Sequence, residues 1–222
     1  MGQSIELSAR DGHRLAAYEA QPTGKPRGGL VVVQEIFGVN SHIRRVADGY
    51  AADGYRVVAP ALFDRVRPDI ELGYTDADIA EGRAIREKVS FDDALADVSA
   101  ALAALRDAGN VGIVGYCWGG TITWLAAARI EGFAAASSYY GGGIGNFASE
   151  KPRCPTQCHF GEKDHAIPRA EVESVRERQP EVEVYLYPAG HGFNCDARAS
   201  YDAASAALAR QRTLAHFRKR VG

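Results

Sequence analysis

A chain of 222 residues has room for one domain of ordinary size, and residues 1–222 are predicted to form a single α/β domain. Hydrophobic residues make up 46% of the chain, which is enough for a full core. The formal net charge of −2 offers no electrostatic attraction to nucleic acid or to an acidic membrane surface, so neither is an expected partner.

The beginning of the chain shows no targeting segment. Residues Met1 to Leu7 lack a basic start, an apolar stretch and a small-residue cleavage site. The longest apolar runs anywhere in the chain are far shorter than a membrane span. We therefore expect a cytoplasmic protein.

Strand signals dominate the first part of the chain. Two strand-like pieces between Ile5 and Ala20 flank Asp11-Gly12, a dipeptide that favours a hairpin turn. After a polar loop, the run from Leu30 to Val33 is apolar on both faces, which is typical of a buried parallel strand. Residues 62–78 have no regular pattern. The other predicted strands span 55–60, 111–115, 133–140, 154–160 and 182–187, and the predicted helices span 43–53, 80–88, 91–108, 121–128, 169–178 and 203–220.

This alternation of strands and helices predicts an α/β fold with a mostly parallel central sheet and helices on both faces. In such sheets the functional site lies at the carboxyl ends of the strands. The candidate residues for chemistry in this chain follow predicted strands, which is where that rule places a site.

The most informative motif is Gly115-Tyr116-Cys117-Trp118-Gly119-Gly120, which joins a predicted strand to a predicted helix. Gly-x-nucleophile-x-Gly at such a junction is typical of the nucleophile elbow of the α/β-hydrolase fold, where the glycines allow close backbone packing. A cysteine at the tip points to attack by a thiolate. The alternative is a buried structural cysteine at an ordinary turn.

A catalytic thiol needs a base, and the base needs an orienting acid. Of the six histidines, His191 is the best candidate for the base because it lies in a glycine-flanked loop just after a predicted strand. Asp164 follows another predicted strand and is the best candidate for the acid. The chain order Cys117, Asp164, His191 is the nucleophile–acid–histidine order of α/β-hydrolases.

Other histidines and carboxylates rank lower. His159 is expected to pack inside its strand, and His165 is a weaker candidate for lining the site. Glu162 and Asp196 remain competitors for the role of the acid. The histidines expected at the solvated surface are His13, His42 and His216.

A second carboxylate follows the buried strand that ends at Val33. There an α/β-hydrolase builds half of its oxyanion hole, and the expected donors are the backbone N–H groups of Ile36 and Trp118. Glu35 lies beside this position. A carboxylate is costly to bury without a partner, and a surface position at the strand end is the alternative for Glu35.

The four cysteines do not suggest a secreted disulfide framework. Cys154, Cys158 and His159 resemble a group of metal ligands, but Pro155 and the strand-like setting argue against a tetrahedral site. We expect buried strand cysteines there and predict no metal site.

Four motifs together give the chain a resemblance to the dienelactone hydrolase family, also called carboxymethylenebutenolidases. They are Gln34-Glu35-Ile36-Phe37-Gly38, the motif around Cys117, Gly161-Glu162-Lys163-Asp164 and Gly190-His191-Gly192-Phe193-Asn194. The resemblance extends over nearly the whole chain. It implies a cytosolic hydrolase without a cofactor that converts dienelactones into maleylacetate during the breakdown of chlorinated aromatic compounds.

The resemblance also implies roles for individual residues. Cys117, His191 and Asp164 correspond to the catalytic triad of the family. Glu35 corresponds to a glutamate that holds the resting thiol until the bound substrate turns the sulfur toward the histidine. Two arginines bind the substrate carboxylate in the family, and Arg83, with Arg86 one helical step further, is the candidate for the first.

The chain departs from the family at the second arginine. Family members carry it four residues after the catalytic histidine, where this chain has Cys195, and Arg198 is the candidate that would replace it. For each arginine a solvated surface charge is the alternative. Aromatic side chains are expected to shape the pocket, with Phe37 and Trp118 favoured by their motifs. The other aromatic candidates are Tyr74, Tyr139 and Phe193.

The leading interpretation is a cysteine hydrolase that acts on a small carboxylate-bearing enol-lactone or ester through a thioester on Cys117. One alternative is a broader hydrolase of small esters or lactones. An alternative from another class is a redox or ligand-binding protein with Cys117 as a sensing thiol, although a sensor needs no base, acid and oxyanion hole. A monomer is expected from the habit of the family and from the lack of a coiled-coil pattern.

Overall fold

The structure is a computed structural model that describes residues 2–222. Runs of apolar and β-branched residues form the eight strands of its single sheet. The strands are β1 (Gln3–Ser8), β2 (Arg14–Ala20), β3 (Gly29–Val33), β4 (Arg56–Pro60), β5 (Val111–Tyr116), β6 (Phe133–Tyr139), β7 (Thr156–Gly161) and β8 (Glu183–Tyr187). The helices are α1 (Ser41–Ala52), α2 (Asp76–Arg86), α3 (Phe91–Ala104), α4 (Trp118–Arg129), α5 (Arg169–Arg178) and α6 (Ala203–Arg220). Short 3-10 turns cover Leu62–Arg65, Arg106–Ala108 and Ile144–Phe147.

The strand order is β1-β2-β4-β3-β5-β6-β7-β8 from one edge of the sheet to the other. β1 and β2 form the predicted antiparallel hairpin, and β2 pairs antiparallel with β4. Every pair from β4 to β8 is parallel, which confirms the predicted mostly parallel sheet. The order reverses between β3 and β5, and in an open α/β sheet that reversal opens a crevice at the carboxyl ends of the strands.

Helices cover both faces of the sheet. All five residues of β3 are buried, as expected for a strand with packing on each side. On one face α3 packs beside α4, and on the other α1 meets α6, where the rings of Tyr50 and Phe217 have centroids 6.3 Å apart. Among residues 2–222 no helix has the length and apolar character needed to cross a bilayer.

Side-chain caps set the starts of two helices that the hydrophobic pattern placed too late. α1 begins at Ser41 because the side chain of Asn40 accepts the N–H of Ile43 at 3.3 Å. α2 begins inside the stretch predicted to be irregular, because Thr75 and Asp78 form a capping box there.

Three other element ends also differ from the prediction. The predicted helix 91–108 is an α-helix only to Ala104 and finishes as a 3-10 turn. β6 stops at Tyr139 because Tyr140 has a positive φ of 36°, which ends the extended conformation. Cys154 lies just before β7 rather than within it.

Two histidines expected at the surface are buried, which corrects the sequence analysis. His42 is 3% exposed and lies against Asp196, and His216 is 4% exposed with Nε2 3.1 Å from the carbonyl oxygen of Pro155. Both partners are distant in sequence, so local pattern gave no sign of them. His159 is fully buried in β7, as predicted.

Candidate active site

Cys117 lies at a sharp turn between β5 and the first residue of α4. Its backbone has φ 55° and ψ −119°, a conformation that a non-glycine residue adopts only when its surroundings enforce it. The N–H of Cys117 donates to the carbonyl oxygen of Tyr139 at 3.0 Å, and its carbonyl oxygen accepts from Gly120 at 2.9 Å. These bonds fix the strained turn and hold the sulfur above the end of the sheet.

The glycines of the elbow are required by close backbone contacts. A Cβ on Gly119 would overlap the carbonyl oxygens of Val33 and Gln34 at the end of β3. A Cβ on Gly115 would overlap the carbonyl oxygen of Gly119. α4 therefore approaches β3 closely, and this approach brings Cys117 beside the segment that follows β3.

Cys117, His191 and Asp164 lie in one hydrogen-bonded line. His191 Nε2 is 3.1 Å from Cys117 Sγ, and His191 Nδ1 is 2.7 Å from Asp164 Oδ2. The other oxygen of Asp164 accepts the N–H of Ala166 at 2.8 Å, which fixes the orientation of the carboxylate. The structure thus brings together the three side chains that the sequence singled out from separate strand ends.

The surroundings of His191 favour its charged form. Burial by itself lowers the pKa of the imidazole, but the hydrogen bonds to Asp164 and Cys117 outweigh burial and raise that pKa to about 10. His191 is therefore mainly an imidazolium at neutral pH. An imidazolium in contact with sulfur stabilises a thiolate, which is the nucleophilic form of cysteine.

The competing residues are placed away from this line. Glu162 and His165 are exposed in the loop after β7. Asp196 interacts instead with His42 Nδ1 at 3.1 Å and with Arg45 Nη2 at 3.0 Å. Among the carboxylates considered, only Asp164 reaches His191 in the structure.

The two residues expected to supply the oxyanion hole lie at the cavity in front of the sulfur. Ile36 and Trp118 both line the cavity that contains Cys117. Trp118 is the first residue of α4, so its N–H has no acceptor within the helix. The positions match those expected for an oxyanion hole, in which such donors stabilise the charge that develops on a carbonyl oxygen.

Glu35 is buried, and the surface alternative for it is wrong. It is 1% exposed, and neither carboxylate oxygen has a hydrogen-bond partner among residues 2–222. Burial raises the pKa of the Glu35 carboxyl, while the charges of His42 and Arg198 act in the opposite direction. In this structure the Cys117 sulfur contacts His191 and is not held by Glu35, which differs from the resting arrangement that the resemblance implies.

The cavity in front of Cys117 has a volume of about 260 Å³ and is lined by three arginines. Arg83 and Arg86 come from α2, and Arg198 comes from the loop after β8. Arg198 Nη1 is 3.7 Å from Glu35 Oε1, and its guanidinium lies 5.8 Å from the ring centre of Phe37. All three candidate arginines thus border the same space as the sulfur.

Of the aromatic candidates, Phe37 and Trp118 line the cavity. Tyr74 packs edge-on against Phe37, with ring centroids 4.6 Å apart. Tyr139 and Phe193 are fully buried and belong to the core next to the site, not to the cavity lining.

Two further residues at the site, Tyr140 and Thr121, were not among the residues predicted from the sequence. The ring of Tyr140 packs edge-on against His191 with centroids 5.2 Å apart, and Thr121 Oγ1 donates to the carbonyl oxygen of Gly142 at 2.7 Å. Thr121 and Gly142 both line the cavity. The glycine run after β6 was the only local sign that this strand end approaches Cys117.

Comparison with known proteins places this geometry in context. The model of the dienelactone hydrolase family matches residues 15–221. A protein of Synechocystis sp. assigned as a carboxymethylenebutenolidase is 36% identical over 225 residues, with 92% of this chain and 91% of that protein covered. The carboxymethylenebutenolidase of Pseudomonas putida is 33% identical over 225 residues, with 96% and 94% covered. The crystal structure of a Klebsiella pneumoniae protein assigned as a dienelactone hydrolase has a TM-score of 0.86 at 33% identity, with 99% of both chains covered.

Proposed function

Because the chain belongs to the dienelactone hydrolase family, we propose that it opens a small carboxylate-bearing enol-lactone, converting dienelactone to maleylacetate through a thioester on Cys117. The observation that carries the proposal is the hydrogen-bonded line Cys117–His191–Asp164 at the base of a cavity lined by arginines. A thiolate nucleophile with an oriented base fits acyl transfer.

Catalysis begins with attack of the Cys117 thiolate on the lactone carbonyl carbon. A carbon–sulfur bond forms, and the N–H groups of Ile36 and Trp118 stabilise the oxyanion, with about 3 kcal/mol per donor in comparable sites. Collapse of the tetrahedral intermediate breaks the ring carbon–oxygen bond. The enolate oxygen leaves and takes a proton, for which the imidazolium of His191 is the nearest donor.

A water molecule then hydrolyses the thioester. Neutral His191 accepts a proton from this water, and Asp164 stabilises the imidazolium that forms. The carbon–sulfur bond breaks, which releases the acid product and restores the thiolate–imidazolium pair.

Glu35 and Arg198 are the charged groups beside the cavity that respond to the charge of the substrate. The Arg198 guanidinium lies 3.7 Å from the Glu35 carboxylate, beyond direct hydrogen bonding. A substrate carboxylate in the cavity competes with Glu35 for Arg198, and like-charge repulsion disfavours both anions at one place. This competition makes Glu35 a sensor of substrate charge close to the nucleophile.

The test of the proposal is steady-state hydrolysis of cis- and trans-dienelactone beside the neutral ester p-nitrophenyl acetate. We expect kcat/KM to favour a dienelactone, and Cys117→Ala to abolish turnover of every substrate. Turnover of the neutral ester alone would favour the alternative of a broader ester or lactone hydrolase. No turnover of any of them would favour the thiol-sensor alternative.

The arginines have their own test. Arg83→Ala and Arg198→Ala should each raise KM for a dienelactone by roughly 10- to 100-fold, because one charge-assisted hydrogen bond to a carboxylate contributes about 1.5–3 kcal/mol. The neutral ester should be unaffected. Arg106→Ala is the matched control, because Arg106 is exposed and precedes β5, at the amino ends of the strands and away from the cavity. Equal losses on both substrates would contradict a role in binding the carboxylate.

The chain acts as a monomer in this proposal. Among residues 2–222 the exposed large hydrophobic side chains are Tyr201 at 44% and Leu208 at 42%, which offer little apolar surface for a stable dimer. Sedimentation equilibrium should give the mass of one chain, 23.9 kDa.

A further inference from the structure

A second group of reactive side chains lies behind the catalytic cavity. Glu35, His42 and Cys195 are 1%, 3% and 0% exposed, and we refer to them as the Glu35–His42–Cys195 cluster. A carboxylate oxygen, an imidazole nitrogen and the sulfur of the cluster all lie within 4.8 Å of one another. They come from three separate segments: the end of β3, the first turn of α1 and the loop after β8.

The cluster contains polar atoms without partners. Both oxygens of Glu35 and Nε2 of His42 are buried and have no hydrogen bond of good geometry among residues 2–222, although the Tyr74 hydroxyl is close enough to Glu35 to act against the rise in the pKa of its carboxyl. The nearest cation to Glu35 is the Arg198 guanidinium at 3.7 Å, beyond hydrogen-bonding distance. Buried polar groups in folded proteins almost always have a partner, so unpartnered atoms on two side chains of one compact, buried cluster indicate a ligand site.

The orientation of His42 matches that of a metal ligand. Its Nδ1 lies 3.1 Å from Asp196 Oδ1, and the same oxygen accepts from Arg45 at 3.0 Å. Donation of the Nδ1 proton to this carboxylate leaves Nε2 as a lone-pair donor directed away from it. Metal-ligating histidines are commonly fixed by a carboxylate in this way, which sets the tautomer and raises the basicity of the ligating nitrogen.

We infer that the Glu35–His42–Cys195 cluster is a binding site for a divalent cation of zinc type. Thiolate, imidazole and carboxylate are the three ligand types that Zn²⁺ takes in proteins, whereas magnesium and calcium take oxygen ligands. On binding, a metal–sulfur bond forms and the thiol proton is released to solvent. The charge of the cation is then balanced by one thiolate and one carboxylate.

The spacing of the cluster fits this cation after a small adjustment. Zinc–ligand bonds of about 2.0–2.3 Å place tetrahedral ligand atoms roughly 3.5 Å apart, so a pair at the 4.8 Å limit of the cluster would close by about 1.3 Å and the others by less. Side-chain rotation supplies such a movement without a change in the backbone. The ligands do not include the proposed nucleophile, base or orienting acid. Glu35 also has a part in the proposed function, where it competes with the substrate for Arg198, but a measurement of metal binding needs no turnover and is therefore independent of that part.

The experiment measures metal binding in a Cys117→Ala chain, so that the catalytic thiol does not contribute. After treatment with a chelator, the protein is dialysed against zinc chloride or cobalt chloride. We expect one zinc ion per chain, and in the cobalt form a thiolate-to-cobalt charge-transfer band with the visible absorption of a tetrahedral ion. Cys195→Ser and His42→Gln should each lower zinc affinity at least a hundredfold, and Cys154→Ser, at another buried cysteine, should not.

Asp196→Asn keeps the inference testable if either ligand variant fails to fold. Asp196 is exposed, and loss of such a supporting carboxylate typically lowers metal affinity 10- to 100-fold. Absence of bound zinc in the Cys117→Ala chain would overturn the inference. Unchanged affinity in the His42, Cys195 and Asp196 variants, or an equal loss in Cys154→Ser, would also overturn it.

Discussion

At the scale of single residues, the four cysteines differ in what surrounds the sulfur. Cys117 is half-buried and touches an imidazole, whereas Cys154, Cys158 and Cys195 are buried. Burial raises the pKa of Cys154 to about 11 and that of Cys158 to about 12. At pH 8 a thiol with a pKa of 11 is about one part in a thousand thiolate. Environment, more than residue type, therefore separates a reactive cysteine from structural ones.

We expect iodoacetamide to label Cys117 first at pH 8, at least a hundredfold faster than Cys154 or Cys158. Peptide mass spectrometry over time measures the rates. His191→Phe, which removes the imidazolium, should slow labelling of Cys117 and leave the other cysteines unchanged. Equal rates at Cys117 and Cys154 would contradict an activated thiol.

Glu35 is a residue at which stability and function oppose each other. Because burial raises the pKa of its carboxyl, the ionised form costs stability once the pH exceeds the pKa of the unfolded chain, near 4.3. Glu35→Gln should therefore raise the free energy of unfolding at pH 7 in the presence of a chelator. The gain should vanish below about pH 4, where the carboxyl is protonated in both states.

Urea unfolding at pH 7 and pH 3.5 measures this difference. Glu162→Gln, at an exposed carboxylate in the loop after β7, is the control and should change little at either pH. A destabilised Glu35→Gln variant at pH 7 would show that the negative charge of Glu35 is stabilising in the folded state.

At the scale of elements, the active site depends on how closely α4 approaches β3. The approach is possible only because Gly119 has no side chain facing the carbonyl oxygens of Val33 and Gln34. It sets the distance between the sulfur of Cys117 and the N–H of Ile36, which belong to two different elements. The geometry of the elbow therefore depends on the contact between α4 and β3 as well as on the turn at Cys117.

Gly119→Ala should lower the free energy of unfolding by roughly 2–3 kcal/mol, because the added methyl group forces α4 away from β3. The same shift should reduce kcat more than KM, since it moves the nucleophile relative to the oxyanion donors. Gly49→Ala inside α1 is the control, because its Cβ would meet only the end of the long Arg210 side chain, at 3.3 Å, and higher helix propensity favours a small gain. Thermal unfolding and steady-state kinetics of both variants measure the two effects.

At the scale of the whole molecule, a buried ion pair ties the segment after β4 to α3. Arg65 Nη2 lies 2.6 Å from Asp97 Oδ1, and Asp97 is fully buried. Arg65 also pairs with the half-exposed Asp11 in the β1–β2 turn at 2.6 Å. One guanidinium therefore links the hairpin, the parallel sheet and a covering helix.

Asp97→Ala should lower the free energy of unfolding by roughly 2 kcal/mol. The expected loss is below the 3–5 kcal/mol of a fully orphaned buried charge, because Arg65 keeps Asp11. Asp107→Ala is the matched control: it also removes one of two carboxylates from an arginine, Arg56, but Asp107 is 77% exposed. Asp107→Ala should lower the free energy of unfolding by less than about 1 kcal/mol, measured by urea unfolding. Equal losses in Asp97→Ala and Asp107→Ala would contradict the expectation that burial makes the Asp97 pair more important.

Local sequence was enough to predict much of the fold and the chain order of the three candidate catalytic residues. Apolar runs and helical spacing have a range of a few residues, so they predicted the strands, most helices and the parallel sheet. The elbow around Cys117 and the chain order of Asp164 and His191 were also readable, because each lies in a short motif after a strand. The catalytic roles of these residues stay predictions until the variants are measured.

Tertiary structure alone decided what surrounds Glu35. Its burial, the buried position of His42 and the approach of Cys195 and Arg198 all depend on the loop after β8 folding back over α1. Contacts between segments more than 150 residues apart leave no periodic trace in either segment, as the pair His42–Asp196 shows. Local sequence was therefore enough to predict the elements and to single out Cys117 as the candidate nucleophile. The charge environment of the site was decided by the packing of distant loops, since electrostatic energies depend on burial and distance and not on position in the chain.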